Sequence, residues 1–290
     1  MQYHKPVLLQ EALEILITKT DGIYADATIG FGGHSREILD RLDDKGRLIG
    51  IDRDEEALSF LRGSLSDRRL TLLKGSFSDL ASLLMSVGLS KVDGVLFDLG
   101  VSLFQLKKLN RGFSFISDSR LDMRMDASQT LDAWEIVNRY SVKDLERIFR
   151  DYGEEPASPK IARAIVEQRR RRAINTCREL AAIVERVCRR RGKTHPATKS
   201  FQAIRIEVND ELGELRKGLS SATESLKAGG KVCVISYHSL EDRIVKDFFK
   251  EGQRVHKLKI LTKKPVIPSK DELMINPSSR SAKLRGAEKV

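Results

Sequence analysis

Three aspartates stand where short apolar runs end: Asp26 closes GIYAD, Asp52 closes RLIGID and Asp98 closes VDGVLFD. Between the first two, the stretch DATIGFGGHS sets Gly30, Gly32 and Gly33 between a strand-like run and a helix-like one. A glycine-rich turn from strand to helix lets a ligand approach the backbone closely and offers it the free N–H groups of a helix start. Asp52 ends the next strand, where a carboxylate can accept both hydroxyl protons of a ribose. A dinucleotide fingerprint would need its third glycine at position 35, which is Ser35. An acid leading the glycine turn, with a second acid on the following strand, suits an adenosine carrying an amino-acid tail better than one carrying a pyrophosphate. S-adenosylmethionine fits that description. A tight turn alone also explains the glycines, and Asp52 could simply cap a helix beginning near Asp54.

Asp98, at the mouth of the fourth strand, lies next to where the sulfonium of a bound methyl donor would sit in such a fold. An exocyclic base amine is a poor nucleophile, because its lone pair is delocalised into the ring. A carboxylate that accepts its proton through a hydrogen bond and fixes an in-line approach contributes by positioning and electrostatics. Asp98 can do this, or it can bind the cofactor's methionine amino group. Methylation at cytosine C5 generally needs a cysteine, commonly after proline, and the chain has no Pro-Cys pair. The Asp/Asn-Pro-Pro-aromatic motif of amino-methylating DNA enzymes is replaced by DLGV. Phe77, in GSFSDL, can wall an adenine ring or staple the helix that follows Ser78. His34 can contact the cofactor or lie on the surface.

The elements that must hold these residues alternate. Val7, Leu8, Ala12, Ile15 and Leu16 mark a first helix, and strands are expected at about 23–28, 47–52, 70–73 and 92–97, with helices between them. Strands apolar nearly throughout belong to a parallel sheet covered on both faces, whose carboxyl edge binds ligands. After Asp98 the alternation stops. Phe201, Ile204, Val208 and Leu212 form an apolar stripe beside a polar one of Gln202, Arg205 and Asn209, and strand pattern resumes at 229–236. The expected organisation is an α/β domain, residues 1–105 and 211–290, interrupted by a helical domain at 106–210. Near the end, KKPVIPSKDELMINPSSRS reads as loop and AKLRGAEKV as a closing edge strand.

The 290 residues carry a net charge of +11. Between Lys160 and Arg205 there are 14 basic and 3 acidic residues, so this segment holds the whole excess. Its runs at 169–172 and 189–191 fit a grip on a polyanion, where neutralising phosphates releases counterions. No apolar run approaches the roughly 20 residues of a membrane span, and the N-terminus lacks signal-peptide features, so the chain is expected in the cytoplasm. Cys177, Cys188 and Cys233 support neither a disulfide framework nor a zinc site, and no metal is expected. In YHSLEDR, Ser239 and Asp242 have capping-box spacing, which leaves His238, Glu241 and Arg243 unexplained; His238 or Arg243 could face RNA or the target base. LDMRMD suits a turn or a half-buried strand, and Trp134 either packs in a core or stacks on a base.

Taken in order, DATIGFGGHS, GIDRDEEAL, DLGVSLFQL, RGFSF, LDMRMD, HPATKSFQAIRIEVNDEL, YHSLEDRIVK and NPSSRSAKLRGAEK resemble the ribosomal RNA small subunit methyltransferase H family from His4 to the C-terminus. The resemblance implies a class I (Rossmann-like) S-adenosylmethionine-dependent methyltransferase fold with an inserted helical domain. It also implies methylation of a cytidine N4 amine in the decoding region of 16S rRNA, on the RNA or the small ribosomal subunit. On the family's motifs, cofactor contacts fall on Gly32, Gly33, His34, Asp52, Phe77, Asp98 and Gln105, with Asp98 also the catalytic candidate. The chain departs from the family's pattern at Leu103, Lys107 and Ser119-Arg120. Two rival readings use the same residues: a related enzyme with another base or a small molecule as target, and a non-catalytic RNA-binding protein.

Overall fold

The computed structural model describes residues 6–100, 111–188 and 195–290. The chain divides into two compact units, residues 1–100 with 212–290, and residues 101–211.

The first unit is built on seven strands: β1 (Ile23–Asp26), β2 (Arg47–Asp52), β3 (Leu70–Lys74), β4 (Val92–Asp98), β5 (Leu226–Ser236), β6 (Leu258–Ile260) and β7 (Lys283–Lys289). They lie in the order β3-β2-β1-β4-β5-β7-β6. Pairing is parallel from β3 to β5, and β7 runs antiparallel to both β5 and β6. The parallel part of this mixed α/β sheet, β3-β2-β1-β4-β5, is wound in the Rossmann-like manner. The continuous apolar run of β4 follows from burial on both faces. Leu96 joins the core under the helices Leu9–Leu16 and Gly33–Arg41, whereas Val95 and Phe97 join the opposite core with the helices Leu80–Ser86, Glu211–Ser225 and Ser239–Arg254. Strand order reverses between β1 and β4, and a crevice opens at such a point beyond the carboxyl ends of the strands.

Several expectations need correcting here. β1 ends at Asp26, because Thr28 turns aside and its Oγ1 accepts the Asp98 backbone N–H at 2.6 Å. The last strand is not an edge: β7 lies between β5 and β6, and the three-residue β6 was too short to carry a strand pattern. The stretch read as loop holds a helix, Lys270–Ile275, started by Ser269, whose side chain accepts the Glu272 N–H.

The second unit packs the helices Ala133–Arg139, Val142–Asp151, Ser158–Arg171, Cys177–Val187 and Thr198–Asn209 around one apolar core. Phe201, Ile204 and Val208 face that core as expected. The stripe ends there because Asp210, at φ 46°, takes a left-handed turn, which sends Leu212 into the next helix. LDMRMD is a loop rather than a strand. Leu121 and Met123 are buried, Asp122 and Arg124 pair side by side at 2.8 Å, and Met123 has a positive φ of 60°. Asn209 holds this loop, donating to the Met123 carbonyl and accepting the Met125 N–H, both at 2.8 Å. Trp134 packs partly buried against the core, its Nε1–H donating to Asn175 Oδ1. No helix among the described residues is long and apolar enough to cross a membrane.

Candidate active site

The loop after β1 is shaped by two left-handed glycines, Gly30 at φ 51° and Gly32 at φ 78°, a region costly for residues with a Cβ. A Cβ on Gly32 would also lie 2.7 Å from Leu61 Cδ2, and one on Gly33 would lie 3.1 Å from Pro6 Cγ. Gly32 precedes the helix Gly33–Arg41 with no side chain capping its start, so the first N–H groups of that helix stay available to a ligand. Beneath the loop, Asp26 accepts the Ser35 hydroxyl at 2.6 Å and the Thr28 N–H at 3.3 Å. Burial pushes the Asp26 carboxyl above its ordinary range, against the lowering effect of Ser35. Position 35 therefore carries a hydroxyl because a buried acid needs a donor there, and Asp26 braces the loop from inside.

Asp52 does not cap the helix beyond β2. Asp54 does, accepting the Glu56 N–H, while Asp52 Oδ1 accepts the Asp54 N–H at 2.8 Å and its Oδ2 accepts the Gly30 N–H at 2.9 Å. Each carboxylate oxygen keeps a second acceptor site. Desolvation pushes this acid up to about 6, outweighing the two backbone donors. Phe77 begins a short 3-10 turn, with the helix starting at Leu80 rather than just after Ser78. Its ring meets Phe97 edge-on at 5.5 Å, the Arg53 guanidinium stands 5.8 Å from it, and Gly218 leaves room for it, since a Cβ there would come within 2.5 Å.

Asp98 closes β4 at the switch point and is partly exposed. His34, buried rather than on the surface, sets Nδ1 3.4 Å from Asp98 Oδ2 and Nε2 3.0 Å from the Val7 carbonyl. The other carboxylate oxygen accepts the Tyr237 hydroxyl at 2.7 Å. Burial, then the Asp98 charge, raise the Tyr237 phenol well above its ordinary value, so it remains a donor. β4 and β5 pair Asp98 with Ile235, which places Tyr237, two residues on, beside the acid. A polar, acid-lined edge with glycine backbone at its floor and an aromatic wall suits a nucleoside bearing a charged tail.

Over its full length, residues 1–290, the chain matches the MraW methylase family. It belongs to that family. It is 48% identical over 307 residues to the ribosomal RNA small subunit methyltransferase H of Caldicellulosiruptor saccharolyticus, with 100% of both chains covered. The enzyme of the same name from Persephonella marina is 49% identical over 295 residues, again with 100% of both chains covered, and that of Methylococcus capsulatus is 47% identical over 298 residues, covering 97% of this chain and 99% of its own. Among solved structures, an rRNA methylase from Streptococcus thermophilus aligns over 97% of this chain and 93% of its own at 13% identity and a TM-score of 0.43, too distant for any site detail to carry across.

In this MraW methylase, Gln105, Leu103, Lys107 and the basic run at 189–191 lie outside the described residues. Ser119-Arg120 is structural: the Ser119 carbonyl accepts the Cys177 N–H and Arg120 pairs with Asp132 at 2.7 Å. YHSLEDR caps its helix one residue earlier than its spacing suggested. His238 and Glu241 form the capping box, whereas Asp242 binds Lys283 and Arg285 on β7. The first arginine run is also divided in role. Arg169 turns inward to the Val137 and Tyr140 carbonyls at 2.7 and 2.6 Å, Arg171 and Arg172 pair with Glu167 and Glu179, and Arg163 and Arg170 are exposed. Sequence reasoning missed Thr28, Ser35 and Tyr237. Of these only Tyr237 carried a signal, as a polar residue just past a strand at the ligand-binding edge.

Proposed function

We propose that this chain transfers the methyl group of S-adenosylmethionine to the exocyclic N4 amine of a cytidine in the decoding region of 16S rRNA, in the cytoplasm. The observation carrying this reading is the end-to-end match, near half identity, to enzymes named for methylating small-subunit ribosomal RNA. The site fits the cofactor on its own terms. The turn through Gly32 leads into a helix start whose first N–H groups no side chain caps, Asp52 keeps acceptor capacity for ribose hydroxyls, and Phe77 offers its ring to the adenine. His34 stands where the amino-acid tail would end, Asp98 lies between that end and the target amine, and Gln105 joins them by the family's pattern. When bound, S-adenosylmethionine supplies a methyl group made electrophilic by its sulfonium.

Asp98 accepts a hydrogen bond from the target amine, which holds the nitrogen lone pair in line, stabilises positive charge as it develops and gives the proton that the nitrogen loses on methylation a path through the carboxylate. Tyr237 and His34 fix the carboxylate for that task. The helical unit, residues 101–211, supplies phosphate contacts through its outward cations, Arg163 and Arg170 among them.

Nucleoside mass spectrometry tests this on small-subunit RNA from cells lacking the protein, offered free and as intact subunits with isotopically labelled cofactor. Labelled N4-methylcytidine is expected. No labelled nucleoside from folded protein overturns the reading. Asp98→Asn should retain cofactor binding while losing turnover; loss of cofactor binding would assign Asp98 to the methionine amino group instead.

A further inference from the structure

Besides the basic helical unit, a second cationic stretch lies in the methyltransferase unit itself. Residues 257–283 contain seven Lys and Arg and two acids, Asp271 and Glu272, a local net of 7 − 2 = +5. One charge of each sign is engaged internally: Glu272 Oε1 accepts the Leu8 N–H at 2.8 Å, and Lys283 pairs with Asp242 at 3.2 Å. Within this stretch is a cleft of about 290 Å³, whose lining includes Tyr237, Ile267, Pro268, Leu273, Arg280 and Lys283. Arg280 is exposed at the end of the 3-10 turn Pro277–Ser281, and its side chain makes no hydrogen bond or ion pair with any described residue. Three large apolar side chains are turned to solvent within nine residues here: Ile267 (64% exposed), Met274 (75%) and Ile275 (67%). Exposed apolar side chains in a cationic stretch, beside a cleft that Arg280 and Ile267 both line, fit an interaction surface.

We infer that this cleft binds the RNA strand beside the target nucleotide, Arg280 taking a phosphate and Ile267, with Pro268 and Leu273, a neighbouring base. The inference rests on the methyltransferase reading above and adds to it a place where the substrate lies. Two observations select RNA as occupant. The excess of positive charge matches a polyanion, and the cleft shares Tyr237 with the candidate site, where its hydroxyl binds Asp98. A strand whose target base reaches Asp98 then has its flanking sugar-phosphate within the same unit. The apolar lining also has a role, because single-stranded nucleic acid is held by base faces against side chains as well as by charge.

The test uses the full-length protein and wild-type substrate RNA, with KM for RNA, kcat, cofactor affinity and the salt dependence of RNA binding measured together. Arg280→Ala should raise the RNA KM several-fold and lower the slope of log affinity against log salt by about 0.7, the share of one phosphate on a single strand. Ile267→Ser should raise KM several-fold with the salt slope unchanged, since the lost contact is uncharged. Both variants replace exposed side chains and should leave cofactor affinity at the wild-type value. Wild-type KM and salt slope in both variants would overturn the inference while RNA methylation by the wild-type protein stands. Absence of methylation by the wild-type protein would instead remove the functional reading beneath it. Normal activity on free RNA with a defect confined to intact subunits would assign the cleft to a ribosomal protein and overturn it also.

Discussion

Asp52 should make cofactor binding depend on pH in the range where few carboxylates titrate. Its carboxyl is raised to about 6 by desolvation, despite the Gly30 and Asp54 N–H donors. Ribose hydroxyls need the ionised acceptor. With a value near 6, about nine-tenths of the site is ionised at pH 7 and about one-tenth at pH 5, so affinity should fall about tenfold between them. Folding responds with the opposite sign. A folded value above the ordinary 3.8 means that the folded state binds the proton more tightly. Ionised Asp52 therefore costs stability, increasingly as pH rises from about 4 to about 6, reaching about 3 kcal/mol above that range. Asp52→Asn removes this cost but gives up one acceptor to a backbone N–H, worth about 1 kcal/mol. The ligand-free variant should thus be more stable than wild type at pH 7 by about 2 kcal/mol, yet bind cofactor more weakly and with no step near pH 6. Calorimetric titration with S-adenosylhomocysteine from pH 5 to 7.5, alongside urea unfolding at each pH, reads both quantities. A variant that is destabilised at pH 7, or one that keeps the wild-type pH step, would refute the reasoning.

Two further outcomes follow from particular contacts. Tyr237→Phe keeps the ring against Gly100 but removes the donor to Asp98; kcat should fall roughly tenfold, in line with a hydrogen bond to a charged group, while the melting profile stays close to wild type. An unchanged kcat and pH–rate profile would reduce Tyr237 to a packing residue. Arg169→Ala should destabilise the protein by about 2 kcal/mol, because two carbonyls lose a charged donor, whereas Arg163→Glu with Arg170→Glu should leave unfolding unchanged and weaken RNA binding in a salt-dependent way; equal effects of the two replacements on stability would contradict the division of roles.

Much of the first unit was legible because its signals are local. A strand buried on both faces must be apolar almost throughout, so VDGVLFD and RLIGID announced themselves, and a chain that alternates such strands with helices has few ways to fold. The glycines were legible for a similar reason, since a left-handed backbone at Gly32 admits few other residues. The three aspartates could be placed at one sheet edge from strand polarity alone. Less legible were features set by partners distant in sequence. β6 is three residues long and exists because β7 offers it a ladder. The capping box of YHSLEDR admitted two registers by spacing, and contacts with Lys283 and Arg285 claimed Asp242.

By itself, then, the sequence determined the α/β class, the cofactor-type loop, the interrupting helical segment and the excess of positive charge, because composition, periodicity and residue spacing are properties of the chain. Only the tertiary structure decided which polar groups meet. Ser35 answers Asp26, Thr28 answers the Asp98 backbone, Tyr237 and His34 take the two oxygens of Asp98, and Arg169 turns inward while Arg170 faces solvent. Each of these depends on strands and helices brought together from positions far apart, and on the cost of leaving a buried donor, acceptor or charge without a partner.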